Sequence, residues 1–436
     1  MKGNSPDKTT GQRLLKESNG ALPLNIRFNP AHFSVGEGNW CSWREVFKAK
    51  NWLIFIIIFA LGSLFGISGV GPVLPNYFLG GISFLHHLNP YEVTLQNGPA
   101  NQFKYSPFFA LLFGFLANIS PIFLSILVFK ILNYILFFTG LLRWQRLTGK
   151  SGKATYYFYL ALFAVLADLI LSLSVNQVNA AIIGLALIGL AEFRDRRFFI
   201  SGFILMVATV LKVYPLIFLV GLAFLFKKKY WLGAFLGGVF SFSYPIIFVG
   251  WEYNLQTHIQ WFDLVAHNAN GNGVLDIASA FERLNLKDFG LALRALILIC
   301  SFPIFFVFVP FLRGDKWYFW ITFGIAGLLL LSPRTEIFTY VLLAPSYAFL
   351  ASWCLRSHDK NIKSYLGPFL AFLSLMISMS PFYPGEWWRS EAPCETARVL
   401  GALGFWIISG IVLLRVMSGP FQHRFALASS HKRKPG

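Results

Sequence analysis

Phe198-Phe-Ile-Ser-Gly-Phe-Ile-Leu-Met-Val-Ala-Thr-Val-Leu-Lys-Val-Tyr-Pro-Leu-Ile-Phe-Leu-Val-Gly-Leu-Ala-Phe-Leu-Phe226 is the stretch that decides the fold of this chain. It runs for 29 residues and is apolar almost throughout, interrupted only by Lys212 and the Tyr214-Pro215 pair that follows. A helix that crosses a bilayer needs about 20 apolar residues, so the stretch is long for one untilted crossing and short for two. Pro215 has no N–H to give a helix and turns the residue before it away from helical backbone. Two short helices meeting at a polar point are therefore predicted. Irregular backbone at membrane depth is tolerated only where it is buried in protein or lines a cavity.

Apolar runs of similar kind recur on both sides of this stretch. Read against breakers and charges, they predict spans near Trp52–Val70, Ile119–Leu142, Thr155–Leu173, Val178–Phe193, Phe198–Leu211 and Tyr214–Phe226, then near Trp231–Val249, Leu291–Leu312, Trp317–Leu331, Phe338–Leu355, Tyr365–Ser380 and Ala397–Met417. Pro107–Ala117 reads as a short helix at or dipping into the outer interface. The fold class is all-α: a polytopic integral membrane protein with about twelve transmembrane helices and two larger outer loops, Gly71–Ser106 and Gly250–Gly290. Composition agrees, with 56% hydrophobic and only 13% charged residues, against roughly 25% charged in soluble domains.

The net charge of +18 would point to nucleic acid in a soluble chain. Here it follows membrane topology, because basic residues collect in cytoplasmic loops. Of the 37 Lys and Arg residues, 28 fall in the segments predicted to be cytoplasmic, and the acids favour the other side. Both termini are therefore expected in the cytoplasm and no nucleic-acid partner is expected. Residues 1–50 form a basic cytoplasmic arm, 51–418 the membrane domain and 419–436 a basic cytoplasmic tail. The first apolar segment begins only at Asn51, too late for a cleavable signal. The cysteines, Cys41, Cys300, Cys354 and Cys394, form no CxxC pair.

The outer ends of the predicted helices carry the candidate chemistry. Asp168 lies near a helix end, where a carboxylate wants a partner or water, and the polar run Ser172-Leu-Ser-Val-Asn-Gln-Val-Asn179 follows it. Gln177 and Asn179 either line an outer cavity or belong to a tight interhelical turn. Lys212 is either a point charge suited to a phosphate or a lysine snorkelling to an interface. In Ser332-Pro-Arg-Thr-Glu-Ile-Phe-Thr-Tyr340, Arg334 offers a fork for bidentate phosphate contact, with Glu336 and Tyr340 close by; an internal Arg334–Glu336 pair is the alternative.

In the first outer loop Glu92 is the one acid and a candidate general base, accompanied by Asn76 and Tyr105. His86 and His87 are adjacent and would point apart, so no metal site is expected. The second loop brings Trp251, Trp261, Asn272 and Arg283. Asn and Gly suit a turn against a ligand, and the tryptophans suit an aromatic belt. No GxxxxGK[ST], GxSxG, HExxH or Asp-x-Asp occurs, and no cofactor is expected.

Four motifs in order carry a family resemblance. Gln102-Phe-Lys-Tyr-Ser-Pro-Phe-Phe-Ala-Leu-Leu112, the helix start Asn176-Gln-Val-Asn179, Lys212 before Pro215, and Ser332-Pro-Arg with Tyr340 and Pro345 resemble glycosyltransferase family 87 of the GT-C superfamily. The similarity runs from about Asn51 to Trp353. It implies transfer of a hexosyl, in this family often mannosyl, unit from a polyprenyl-phosphate sugar donor to a glycan or glycolipid acceptor on the non-cytoplasmic face of a bacterial plasma membrane. Membrane lipids would be the remaining partners. It also implies an Asp or Glu in the first outer loop as catalytic base. The polar groups at the outer helix ends and loops are expected to place Lys212 and Arg334 at the donor phosphate, and Asn76, Tyr105, Gln177, Asn179, Asn272, Arg283, Glu336 and Tyr340 around the substrates. The family usually offers an aspartate near Asn76 and Tyr77, where this chain has none. Glu92 or Asp168 would take its place, or the protein would be a non-catalytic relative in envelope polysaccharide assembly. A transporter of lipid-linked sugars would share the span count, but alternating access predicts related halves, and none is apparent.

Overall fold

A computed structural model describes residues 41–46, 48, 56, 73–92, 103–119, 121–145, 168–170, 172–173, 175–267, 276–332, 335, 337–356, 370, 373 and 392–430, all within the unit Val35–Gly436. Every regular element among them is helical. A short helix α1 (Trp43–Val46) precedes α2 (Val73–Leu85), α3 (Pro107–Ala117) and α4 (Ile122–Arg143). Next come α5 (Asn179–Arg194), α6 (Phe198–Leu211), α7 (Leu216–Ala223), α8 (Lys228–Ser243), the single turn α9 (Ile246–Val249) and α10 (Trp251–His267). The chain continues through α11 (Ile277–Arg283), α12 (Lys287–Phe308), α13 (Lys316–Leu331), a 3₁₀ segment over Ile337–Leu343, α14 (Ala344–Arg356) and α15 (Ala392–Ser430).

Four segments are long and apolar enough to cross a membrane: Ile122–Arg143, Lys228–Val249, Lys287–Phe311 and Thr396–Arg415. The expected count of about twelve is not confirmed by the described residues, in part because several of their helices are short. Helices α5 and α13 have 16 residues each and α6 has 14; at 1.5 Å per residue, 16 residues rise about 24 Å, short of a hydrocarbon core of about 30 Å. The predicted spans Trp52–Val70, Thr155–Leu173 and Tyr365–Ser380 lie almost wholly outside the described residues. The segments expected as the two larger outer loops contain the helices α2, α10 and α11.

The predicted break after α6 is present. Lys212 leaves the helix in extended backbone (φ −157°, ψ 132°), and Pro215 caps the start of α7. Other ends follow their sequence equally closely. Ser106 accepts from the Phe109 amide at 3.2 Å with Pro107 in the first turn of α3, a pairing that satisfies a free amide without wasting one. The start of α5 is capped from another helix: buried Asn133 of α4 accepts from the Ala181 amide at 3.1 Å and donates to the Phe129 carbonyl at 3.0 Å. Close approach makes this possible. A Cβ on Gly140 would lie 2.6 Å from the Gly184 carbonyl oxygen, and one on Gly184 would collide with the Leu136 carbonyl.

At the other end of α4 and α5 a buried ion network ties α1 to the bundle. Arg143 donates to the Cys41 carbonyl at 2.6 Å, to Glu192 at 3.1 Å and to Asp195. Trp43 donates its indole N–H to Glu192 at 2.8 Å, and Arg194 pairs with Asp195 at 2.9 Å. Burial works to raise the Asp195 carboxyl, but the guanidiniums of Arg194 and Arg143 outweigh it and hold the group below the usual carboxylate range. Arg143 and Glu192 are each about 1% exposed, so removing one partner strands a buried charge. Arg143→Met is expected to destabilise the protein by about 3–5 kcal/mol, read as a lowered unfolding temperature in detergent. The double variant Arg143→Met, Glu192→Leu should recover most of that loss.

Candidate functional site

The helix break places Lys212 at the centre of a polar cluster. Its Nζ donates to Asn179 Oδ1 at 2.7 Å and lies 5.4 Å from the centre of the Tyr105 ring and 5.2 Å from that of Tyr214, within cation–π range of both. Tyr105 stacks on Phe109 at 4.2 Å. Its hydroxyl shares a 2.8 Å hydrogen bond with Tyr77 of α2, and the Tyr77 hydroxyl donates to Gln177 Oε1 at 3.1 Å. Lys212, Asn179, Tyr105 and Gln177, chosen from sequence, are therefore brought together. Asn76, half-buried on α2, precedes Tyr77; successive helical side chains diverge, and it is Tyr77 that enters the cluster.

Asn176 begins this polar run under strain. Its φ is +59°, it is fully buried, and neither atom of its amide has a hydrogen-bond partner among the described residues. Leaving such a group unsatisfied costs about 1–3 kcal/mol. Asparagine tolerates the left-handed region better than most residues, which accounts for the backbone and leaves the unpaired amide to be explained by a ligand or water.

Below the break opens an apolar cavity of about 470 Å³. Its wall starts at Val213, the residue after Lys212, runs along Leu216 and Val220 of α7, crosses Phe302 and Phe305 of α12 and ends at Ser332 after α13. Arg334, two residues further, lies outside the described residues, as do Glu336 and Asn272.

Glu92 is exposed at the end of the described segment that follows α2, with Oε1 accepting from the Asn89 side chain at 2.8 Å. Its neighbour Tyr91 donates to the Tyr105 carbonyl at 3.0 Å. Tyr91 thus ties the segment that carries Glu92 to Tyr105, whose ring lies beneath the Lys212 ammonium.

Asp168 has a different setting. Its Oδ1 accepts from Arg398 Nη2 at 2.8 Å and its Oδ2 from the Tyr347 hydroxyl at 2.9 Å, all three groups buried. The Arg398 guanidinium stands 5.8 Å from the Tyr340 ring centre. Tyr340 and Asp168 thus meet in a second polar cluster that joins the 3₁₀ segment and α14 to α15. Arg283 closes α11, half-buried, with Asp276 at the start of that helix held by Arg294 at 3.3 Å.

Tyr77, Tyr214 and Arg398 are the residues that sequence reasoning passed over. Arg398 had a signal, since a guanidinium beside an apolar span needs a carboxylate and Asp168 was already conspicuous.

A sequence model of glycosyltransferase family 87 matches residues 103–333, more than half of the chain. No curated protein and no solved structure matches. The match spans Tyr105, the Asn176–Asn179 run, the Lys212 break and both walls of the apolar cavity. The chain belongs to glycosyltransferase family 87, a GT-C-like membrane family, and is a membrane glycosyltransferase.

Proposed function

We propose that the protein transfers a hexosyl unit, mannosyl by family resemblance, from a polyprenyl-phosphate sugar to a glycan or glycolipid acceptor on the non-cytoplasmic face, with both termini in the cytoplasm. The observation that carries this reading is the juxtaposition of Lys212 with the apolar cavity that starts at Val213. A polyprenyl phosphate is an anion on a long apolar chain. The cavity suits its first isoprene units, and the lysine, with Arg334 beyond Ser332, suits its phosphate.

In the proposed step an acceptor hydroxyl oxygen forms a bond to the anomeric carbon while the bond from that carbon to the phosphate oxygen breaks. Polyprenyl phosphate leaves with the electron pair, and Glu92 takes the hydroxyl proton. Lys212 meets the charge that grows on the phosphate; Asn179 holds its Nζ in place, and the Tyr105 and Tyr214 rings favour a cation there. The buried amide of Asn176 supplies a donor and an acceptor for sugar hydroxyls. Glu92 is preferred to Asp168 as the base because both Asp168 oxygens are already engaged, whereas Glu92 is exposed and has an oxygen beyond the one Asn89 holds.

The reading is tested with purified protein in nanodiscs, labelled polyprenyl-phosphate sugars and a membrane extract as acceptor. Transfer is expected, and Glu92→Gln should slow it by about 10²–10⁴-fold with donor binding kept. Lys212→Met should lower kcat by about 10²–10³-fold. Unchanged turnover in Glu92→Gln would remove that residue from the mechanism, and absence of transfer from every donor by a folded protein would contradict the whole assignment. Asp168→Asn, in contrast, should reduce thermal stability while leaving the pH profile of the remaining activity where it was; a shifted profile would make Asp168 the base.

A further inference from the structure

Helix α10 (Trp251–His267) is divided lengthwise into three sectors. Asn254, Thr257, His258 and Trp261 are at most 8% exposed and face the protein. Glu252, Gln256 and Asp263 are exposed on a second, polar side. Between them Trp251, Leu255, Ile259 and Phe262 are 56%, 37%, 60% and 61% exposed. Their spacing of four, four and three places all four within one stripe of a helix with 3.6 residues per turn. Four large apolar side chains in one exposed row are too many for a surface that meets only water. The helix is not among the segments apolar enough to cross a membrane.

The stripe adjoins a segment long and apolar enough to cross a membrane. The span Lys228–Val249 ends one residue before α10, with Ile247 74% and Phe248 44% exposed. Gly250, at φ +78°, turns the chain between them, a backbone angle that glycine adopts without strain. The angle of α10 is then held from several sides. Tyr253 donates to the Leu88 carbonyl at 2.6 Å, Asn254 donates to the Phe242 carbonyl at 3.0 Å, and the His258 ring lies 4.6 Å from that of Phe242.

We propose that α10 lies in the plane of the membrane interface, with Trp251, Leu255, Ile259 and Phe262 inserted among phospholipid acyl chains and the Glu252–Gln256–Asp263 side in water. Protein on one side, lipid on the second and water on the third is the pattern an in-plane helix requires. The exposed polar residues described on that side, Glu252, Gln256 and Asp263, include two acids and no base, so apolar insertion, and not attraction to anionic headgroups, holds the helix. The interfacial placement stands on exposure and composition; its assignment to the outer leaflet rests on the topology proposed above. Through Leu88 the helix braces the segment that carries Tyr91 and Glu92, and so fixes how far above the acyl chains that segment stands.

The test uses the full chain in phosphatidylcholine nanodiscs. Single cysteines at Leu255, Ile259, Glu252 and Gln256, on a background with Cys41, Cys300, Cys354 and Cys394 replaced by alanine, are labelled with a nitroxide. The ratio of accessibility to oxygen over accessibility to a water-soluble nickel chelate should be several-fold higher at Leu255 and Ile259 than at Glu252 and Gln256, and adding phosphatidylglycerol should leave it unchanged. Equal ratios on the two sides would overturn the proposal. If the cysteine-free background does not fold, the native chain is photolysed with a phosphatidylcholine bearing a diazirine near its acyl carbonyl. Adducts on Leu255, Ile259 or Phe262 are then expected, and their absence, with adducts found on Ile247 or Phe248, would overturn it. Opposite leaflet labelling with correct sidedness of the stripe would sink the topology and leave the interfacial helix standing.

Discussion

A lysine held at a break between two apolar helices is the constraint on which the rest of this structure depends. Lys212 cannot lie against hydrocarbon without a partner, and the chain answers with the Asn179 side-chain oxygen at 2.7 Å and two tyrosine rings. Asn179 is in turn the first residue of α5, and the position of that helix end is set from α4 by Asn133 and by the contact between Gly140 and Gly184. The cation of the site is thus positioned by helix packing. The same break that exposes Lys212 also begins the apolar cavity, because α7 starts anew at Leu216 on the far side of Pro215.

Charges elsewhere in the bundle obey the same rule. At one end Arg143, Glu192, Arg194 and Asp195 neutralise one another; in the second cluster Arg398 meets Asp168. Each pair fastens elements far apart in sequence, α1 to α4 and α5 in the first case and the 168–170 segment to α15 in the second. Buried pairs of this kind add little net stability over apolar packing, but losing one partner is costly, so they specify which helices meet. Lys212 is held by a neutral amide oxygen at 2.7 Å and lies over two aromatic faces.

How far the sequence could be read depended on whether the deciding physics was local. The break at Lys212–Pro215 and the Ser106-Pro107 helix start follow from proline and capping chemistry within a few residues, and both are where they were expected. Lys212, Asn179, Gln177 and Tyr105 were identifiable as polar groups at the ends of apolar runs. Tyr77 was hidden because Val73–Leu85, with its Pro, Asn and two glycines, reads as a loop and is a helix only by packing on α3, where Gly81 lies against Gly114. The pairing of Asp168 with Arg398 spans 230 positions and no local pattern announces it. Apolar character is visible in sequence and helix length is not, which is why only four of the expected spans are matched by a described helix long enough to cross a membrane. Likewise α10 was mistaken for loop, since one apolar stripe among three sectors dilutes the periodic signal.

The central claim is that a lipid-linked phosphate sits at Lys212 with its isoprene chain in the adjoining cavity. A cryo-electron microscopy structure of the protein in nanodiscs with polyprenyl phosphate tests it most directly. The account predicts a phosphate oxygen about 2.7–2.9 Å from Lys212 Nζ, the distance of a charge-assisted hydrogen bond, and chain density between Leu216 of α7 and Phe302 of α12. Phosphate density at any other cluster, with no phosphate oxygen at Lys212 and the cavity filled by lipid unrelated to the donor, would contradict it.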